Sequence, residues 1–179
     1  MFSFLHQCIH TSGISIMINR IFRFLPIALM SIVMLAPLNT LADTATMPDG
    51  KPQTGLPTIS LKVGSQSVRA DIAHTEATRQ IGLMFRPKMG KQDGMLFVFP
   101  EIAYHAMWMK NTLIPLSVAY MDERGVIVSI HEMQALSEAV HQAAGPVRYA
   151  LEMNAGWFGS NKINVGDTIK GLDKAPKPQ

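Results

Sequence analysis

Cysteine is nearly absent from this chain of 179 residues. The one cysteine, Cys8, lies ahead of the apolar part of the segment interpreted below as a signal peptide. The rest of the chain therefore offers no disulfide, no thiolate metal site and no cysteine nucleophile. A domain of about 120 residues needs no covalent link, because a chain of that length can bury a sufficient hydrophobic core.

Common catalytic motifs are also missing from the sequence. It contains no G-x-S-x-G elbow, no Walker loop and no G-x-G-x-x-G. His131-Glu132 begins like H-E-x-x-H but lacks the second histidine, and Ser137 and His141 have no recognisable acidic partner. An envelope hydrolase therefore ranks as the last alternative. A pocket holding a carboxyl or histidine with a shifted pKa would favour it.

No excess of charge of one sign remains once the first 42 residues are set apart. The chain has 16 Lys and Arg against 13 Asp and Glu, but two of the basic residues, Arg20 and Arg23, lie in that segment. Subtracting these two leaves 14 basic against 13 acidic residues, a net charge of +1. With no run of like charge, we expect no nucleic-acid partner.

The start of the chain has the pattern of a secretory signal peptide. Arg20 and Arg23 form a positive region, residues 25–38 an apolar stretch, and residues 40–42 a Thr-Leu-Ala cleavage site. We predict cleavage after Ala42, a periplasmic or secreted location, and no membrane span afterwards. The alternative is an uncleaved anchor, which the short apolar stretch disfavours because a span needs about 20 residues.

Composition divides the chain into four parts. These are a signal peptide at 1–42, starting at Met1 or Met17, a flexible leader at 43–57, a single domain at 58–172 and a flexible tail at 173–179. Inside the domain, short apolar runs recur every 8–12 residues or so between turn signals, which is typical of an antiparallel sandwich or barrel. The main helix candidate is 75–84, with Thr75 as its N-cap and Pro87 preventing its continuation.

Two strand segments are joined by Gly64-Ser65, which predicts a hairpin. Asp122-Glu123-Arg124-Gly125 predicts a tight turn between the strands "LSVAYM" and "VIVSIHEM". The crossover helices that parallel strands require are not indicated, so we expect antiparallel pairing throughout.

The stretch 104–112 was predicted as a strand, and its side chains alternate between two faces. One face holds His105, Met107, Met109 and Asn111, and the other Ala106, Trp108, Lys110 and Thr112. In one interpretation the Met face is core, and Trp108 and Lys110 form an outward binding surface. In the other, Trp108 packs inward, and His105, Met107 and Met109 form a surface site for Cu(I) or Ag(I).

Further polar residues could join such a site. Arg79, Leu83 and Arg86 fall on roughly one face of the predicted helix. Arg148 and Glu152 share a strand face opposite Val147, Tyr149, Leu151 and Met153. These groups form either an ion-paired, solvated face or a polar cluster around Trp108.

Five motifs resemble a known family. "RQIGLMFRPKM", "GMLFVFP", "WMKNTLIPLSVAYMD", "VRYALEMNAGWF" and "INVGDTI" occur in the order and spacing of the family called domain of unknown function 192, from about Leu61 to Leu172. The resemblance implies a small, often exported β-sandwich of jelly-roll type with no established activity. Its recurrent motif residues correspond here to Arg79, Gly82, Met84, Arg86, Gly94, Met95, Phe97, Trp108, Met109, Lys110, Asn111, Thr112, Pro115, Glu152 and Gly156.

The sequence departs from the family pattern at three positions. Ser117 stands where the family often has Asp, Met107 where it often has an aromatic residue, and Ala135 where Pro is common. A carboxylate at position 117 is therefore not required in this member. Met107 would add a soft metal ligand that the family does not share.

These observations predict a mainly-β domain, a single antiparallel jelly-roll sandwich with one or two short helices. We expect an exported, monomeric binding module for a small ligand or an envelope protein, with no cofactor. The candidate binding residues are Trp108, Lys110, Asn111, Arg79, Arg86 and Glu152. Cu(I) binding through His105, Met107 and Met109 is the first alternative, and an envelope hydrolase is the second.

Overall fold

A computed structural model describes residues 50–179; the predicted signal peptide and residues 43–49 of the predicted leader lie outside the described residues. The strands are β1 (Thr58–Val63), β2 (Gln66–Ala73), β3 (Asp93–Ala103), β4 (Ala106–Met107), β5 (Leu116–Met121), β6 (Ile127–Met133), β7 (His141–Gln142), β8 (Val147–Asn154) and β9 (Ile169–Lys170). The helices are α1 (Glu76–Ile81) and α2 (Trp157–Ser160), and a 3-10 turn spans Leu172–Lys174. In this part of the chain no helix is long and apolar enough to cross a membrane.

Seven strands form one curled sheet in the order β6-β5-β8-β3-β2-β1-β9, and β4 and β7 form a separate two-stranded sheet. The two outer strands of the large sheet approach each other beside a bridge between Val126 and Thr168. Two backbone hydrogen bonds support this contact, from Ile127 to Asp167 at 2.8 Å and from Ile169 to Gly125 at 2.9 Å. The mainly-β prediction is confirmed, whereas the jelly-roll sandwich is not, because the strands form one curled sheet.

The expectation of antiparallel pairing throughout is wrong at one pair. Strands β2 and β3 run parallel, with Ala70 opposite Gly94. The connection between them contains α1, the crossover that a parallel pair requires. Thr75 caps this helix as predicted, in a capping box with Thr78. The helix ends before Pro87, because Gly82 turns the chain with a φ of 51°, a conformation that glycine adopts readily.

Both predicted turns between neighbouring strands are present. Residues 64–65 join β1 and β2, which pair from Thr58 opposite Asp71 to Val63 opposite Gln66. In the turn between β5 and β6, the carboxylate of Asp122 accepts hydrogen bonds at 2.9 Å from the backbone of Arg124 and of Val126. Local turn chemistry therefore sets both connections.

The predicted strand at 104–112 is largely a loop, and only Ala106–Met107 is strand. β4 pairs with β7, Met107 lying opposite His141, and not with the large sheet. Asn111 has a φ of 58°, which takes the chain out of extended conformation. The segment crosses one face of the sheet, so strict alternation of its side chains does not apply.

Two apolar clusters hold the domain together. The inner one fills the curl of the sheet, with members such as Leu61, Ile72, Leu96, Met121, Leu151 and Phe158. The other lies on the outer face of β3, β5 and β8, with Leu83, Met95, Phe97, Met109, Val118, Tyr120 and Ala150. All six residues of β5 are buried, because the sheet is covered on both faces.

Candidate functional site

A pocket with a volume of about 470 Å³ opens between α1 and the loop that carries β4. Its lining combines apolar, aromatic and ionisable side chains, among them Glu76, Arg79, Leu83, Met84, Phe97, Phe99, His105, Met107, Trp108, Thr112 and Glu152. The volume lies in the range that holds small organic ligands.

Glu152 is the buried acid of this pocket. It lies on β8 with Met95 of β3 on one side and Val118 of β5 on the other, and its residue surface is 4% exposed. Within residues 50–179, no hydrogen bond or ion pair to the Glu152 side chain is found. Burial raises the pKa of Glu152 to about 8, because the ionised form loses its hydration without gaining a partner. In the empty pocket at neutral pH this carboxyl is mainly protonated.

Aromatic rings form much of the pocket wall. The imidazole of His105 stacks on Phe99, with ring centres 3.7 Å apart and planes inclined by 11°. Phe97 lies two residues earlier on β3 and belongs to the outer apolar cluster. Trp108 remains 46% exposed, although it is one of the largest apolar side chains in the domain. The ammonium group of Lys110 lies 5.2 Å from the centre of the Trp108 ring, close enough for a cation–π interaction.

Arg79 contributes the positive charge of the pocket lining, but its guanidinium is engaged elsewhere. One terminal nitrogen donates to the backbone oxygens of His74 at 2.6 Å and Val98 at 3.1 Å, and the other to that of Gln179 at 3.0 Å. Desolvation lowers the pKa of Arg79, which Glu76 partly opposes. Arg79 therefore fastens α1 to neighbouring segments and leaves few donors for a ligand.

The short sheet of β4 and β7, which we call the flap, carries part of the pocket wall. Met107 on β4 and the adjacent Trp108 line the pocket. The Tyr120 hydroxyl holds the flap to the large sheet by donating to the backbone oxygen of His141 at 2.6 Å. Burial raises the pKa of Tyr120 well above its ordinary value, and the Glu152 charge acts in the same direction. Tyr120 is therefore a neutral anchor.

The structure brings together three of the six predicted binding residues, since Arg79, Trp108 and Glu152 line one pocket. Lys110 joins them through its contact with Trp108. Arg86 instead pairs with Asp71 at 2.7 Å, and both side chains are largely buried. The backbone oxygen of Asn111 accepts from Phe85 at 2.9 Å, so this residue shapes the loop.

The soft-metal alternative draws on residues that the structure separates in part. His105 and Met107 line the pocket, whereas Met109 is fully buried in the outer cluster. Met109 is therefore core and Trp108 is exposed, whereas His105 and Met107 are half-buried at the pocket, so neither predicted face is wholly core. Among residues 50–179, no cluster of three or more His, Cys, Asp or Glu side chains is placed to hold a metal ion. Cu(I) binding remains a prediction.

Several pocket residues were not predicted as site residues. Phe97 and Thr112 belong to the recurrent motifs and Glu76 lies in the predicted helix at 75–84, but none of the three is a candidate binding residue from sequence. Thr112 is buried and contributes a hydroxyl to the lining. No local pattern indicates these roles, because the pocket forms only when α1 and the flap meet over the sheet.

Ser117, the departure from the family's frequent Asp, lies in a polar cluster that is not part of the pocket lining. Its hydroxyl is 2.7 Å from both carboxylate oxygens of Glu132. The backbone N–H of Gly156 donates to Ser117 at 2.8 Å and to Glu132 at 3.0 Å. Glu132 therefore supplies from β6 a carboxylate beside position 117.

Fold and pocket together define a small mainly-β domain with an acidic, aromatic-lined pocket under a two-stranded flap. The chain belongs to the DUF192 family, described as an uncharacterised ACR, whose model matches residues 59–171.

The solved structures that are similar to this chain include the following two. A protein from Sinorhizobium meliloti 1021, provisionally described as a transcription regulator, is 31% identical with a TM-score of 0.62, and the match covers 67% of this chain and 98% of that one. A protein of unknown function from Novosphingobium aromaticivorans DSM 12444 is 30% identical with a TM-score of 0.64, covering 71% and 94%. No curated protein matches the chain.

Proposed function

We propose that this protein is an exported binding protein of the cell envelope that takes a small organic ligand into the pocket above Glu152. The observation that carries the proposal is the buried carboxyl of Glu152, which lines a pocket of about 470 Å³ and has no partner among the described residues.

The position of this carboxyl supports the proposal. Glu152 lines the pocket and has no hydrogen bond to residues 50–179, so its oxygens are available to a ligand. A ligand that bonds to Glu152 would also cover the exposed ring of Trp108. Aromatic side chains beside a small number of polar groups are typical of binding pockets.

Export is the second part of the proposal. It is supported by the arginine-flanked apolar stretch and Thr-Leu-Ala site before Asp43. We do not extend the description of the Sinorhizobium protein to this chain, because residues 43–179 have nearly balanced charge and no basic run. We expect a monomer.

Native mass spectrometry of the protein purified from its own cell envelope tests both parts. The denatured mass should correspond to a chain starting at Asp43, and the native mass should include an organic ligand. Glu152→Leu should retain less ligand, whereas Glu123→Gln, which changes an exposed turn residue, should retain the wild-type amount. A bare wild-type protein, or equal ligand on Glu152→Leu, would contradict the binding proposal.

A hydrolase acting on envelope polymers is the second candidate. One observation favours it, namely that Glu152 has a raised pKa and shares its pocket with a second carboxyl, Glu76. A protonated acid paired with an ionised one can serve acid–base chemistry. Release of soluble fragments from purified envelope polysaccharide or peptidoglycan should then occur with wild type and stop with Glu152→Gln. No release by wild type would remove this candidate.

A further inference from the structure

Resting on the proposed function, we infer that the pocket ligand is an organic ammonium compound, a protonated amine on an apolar or aromatic body, with the amine placed at Glu152. The inference comes from the balance of hydrogen-bond donors and acceptors, the charges and the rings of the lining.

The pocket lining offers acceptors that a ligand could use. Glu152 has two carboxyl oxygens without a partner among residues 50–179, and the buried hydroxyl of Thr112 makes one long hydrogen bond of 3.4 Å within this range, to the backbone oxygen of Lys110. The terminal nitrogens of Arg79 already bond to backbone oxygens, and the amide of Gln80 donates to Glu76 at 3.2 Å. A primary ammonium carries three donors and no acceptor, so it matches this lining better than a carboxylate does.

The charged and titratable groups around the site also favour a cation. Once Glu152 is ionised, the lining holds two carboxyls, Glu76 and Glu152, against the one guanidinium of Arg79, which already donates to backbone oxygens. His105 lines the same wall, and Tyr120 from β5 is the titratable neighbour that interacts with Glu152. Lys110 adds a positive charge, but it lies over the Trp108 ring and does not line the pocket.

The aromatic wall would receive the body of such a ligand. Phe97, the stacked Phe99 and His105 pair, and Trp108 surround the pocket with ring faces and edges. Ring faces attract ammonium groups, and the Lys110–Trp108 contact shows that one ring already does so within the protein.

Binding of an ammonium group should be coupled to release of a proton. The empty pocket holds a protonated carboxyl below about pH 8, and the ion pair needs the ionised form. The affinity for an ammonium probe should therefore rise about tenfold from pH 6 to pH 7 and about fivefold more by pH 8. A carboxylate probe would show the opposite trend, and a neutral amide would gain nothing from rising pH.

Benzylamine, benzamide and benzoate form a suitable set of probes, because they share one ring and differ in the polar group. Their dissociation constants can be measured by titration, following the fluorescence of the purified protein and methyl NMR signals of pocket residues such as Met84 and Met107, at pH 6, 7 and 8. Benzylamine remains protonated across this range. We expect it to bind at least tenfold more tightly than benzamide or benzoate at pH 8.

Two variants separate the acid from the histidine of the same pocket. Glu152→Gln should lose at least tenfold of the benzylamine affinity at pH 8 and also its pH dependence. His105→Phe keeps a ring on Phe99 and should retain that dependence. If the pH dependence disappears in His105→Phe and persists in Glu152→Gln, the histidine is responsible and the inference is overturned.

The failure of this inference can be told from the failure of the proposed function. Tighter binding of benzamide or benzoate, lost in Glu152→Gln, would overturn the ammonium ligand and leave a Glu152-dependent binding protein. If no probe binds and the protein purified from the envelope carries no ligand, both the ammonium inference and the proposed binding function are overturned.

Discussion

The pKa of Glu152 predicts how the stability of the empty protein depends on pH. In the unfolded chain the carboxyl ionises near its ordinary pKa of 4.5, whereas in the fold it holds its proton to about pH 8. Between these values the folded state binds one more proton than the unfolded state, so the free energy of unfolding falls as pH rises. A difference of 3.5 pH units at about 1.4 kcal/mol each amounts to roughly 5 kcal/mol.

Glu152→Gln removes this titration and keeps the size of the side chain. The free energy of unfolding of wild type and variant can be measured with urea at pH 5, 6.5 and 8. Between pH 5 and pH 8, the free energy of unfolding of Glu152→Gln should increase by about 3–4 kcal/mol relative to that of wild type. Burial and the neighbouring His141 lower the pKa of His131, and this makes the free energy of unfolding rise with pH. That contribution is common to both proteins and cancels in the difference.

Glu123→Gln serves as the control, because Glu123 is exposed in the turn between β5 and β6. It should leave the pH profile of wild type unchanged. A relative gain below about 1 kcal/mol for Glu152→Gln would mean that Glu152 ionises normally in the fold. In that case the carboxyl is solvated or partnered, and the argument from its burial is wrong.

Three further variants test the scaffold by urea unfolding. Arg86→Met should lower the free energy of unfolding by about 1–3 kcal/mol, because it leaves the largely buried Asp71 without its ion pair. An unchanged urea midpoint would show that the pair is solvated. Asn111→Val should lower the free energy of unfolding by about 1–3 kcal/mol, because a β-branched residue is strained at the φ of 58°, whereas Asn111→Gly should leave it nearly unchanged. Equal losses in the two variants would argue against backbone strain. Tyr120→Phe should cost about 1–2 kcal/mol and speed amide exchange in the flap, whereas unchanged exchange would mean that other contacts hold it.

Much of the fold could be predicted where local chemistry decides it. The hairpin at Gly64, the turn at Asp122 and the Thr75 cap depend on residues a few positions apart, and all three are present. The parallel pair of β2 and β3 was missed although the helix between them was predicted, because a single short helix does not reveal from sequence which strand the next one will pair with. Whether strands form one curled sheet or two packed sheets depends on contacts between distant residues, such as Val126 with Thr168.

The site was predictable only in part, for a related reason. Alternation along β8 correctly separated Glu152 from Leu151 and Met153, but it left open whether the face of Glu152 is solvated or part of a polar cluster. The central strands are covered on both sides, so alternation assigns residues to two faces but does not show whether a face is buried or solvated. Trp108 became a candidate through alternation along 104–112, and Arg79 through helical spacing. Arg86 was assigned to the same site because helical spacing does not reveal its partner, Asp71, on β2.

The position of β9 has a consequence for how the chain folds. β1 has two neighbours, β2 directly after it in sequence and β9 more than a hundred residues later, where Val63 lies opposite Ile169. Contacts of such long sequence separation form slowly, because a large loop must close first. The sheet therefore cannot be completed until almost the whole domain has emerged, from the ribosome or from a translocation channel. A chain cut before residue 166 would leave both β1 and the start of β6 with exposed strand edges open to aggregation.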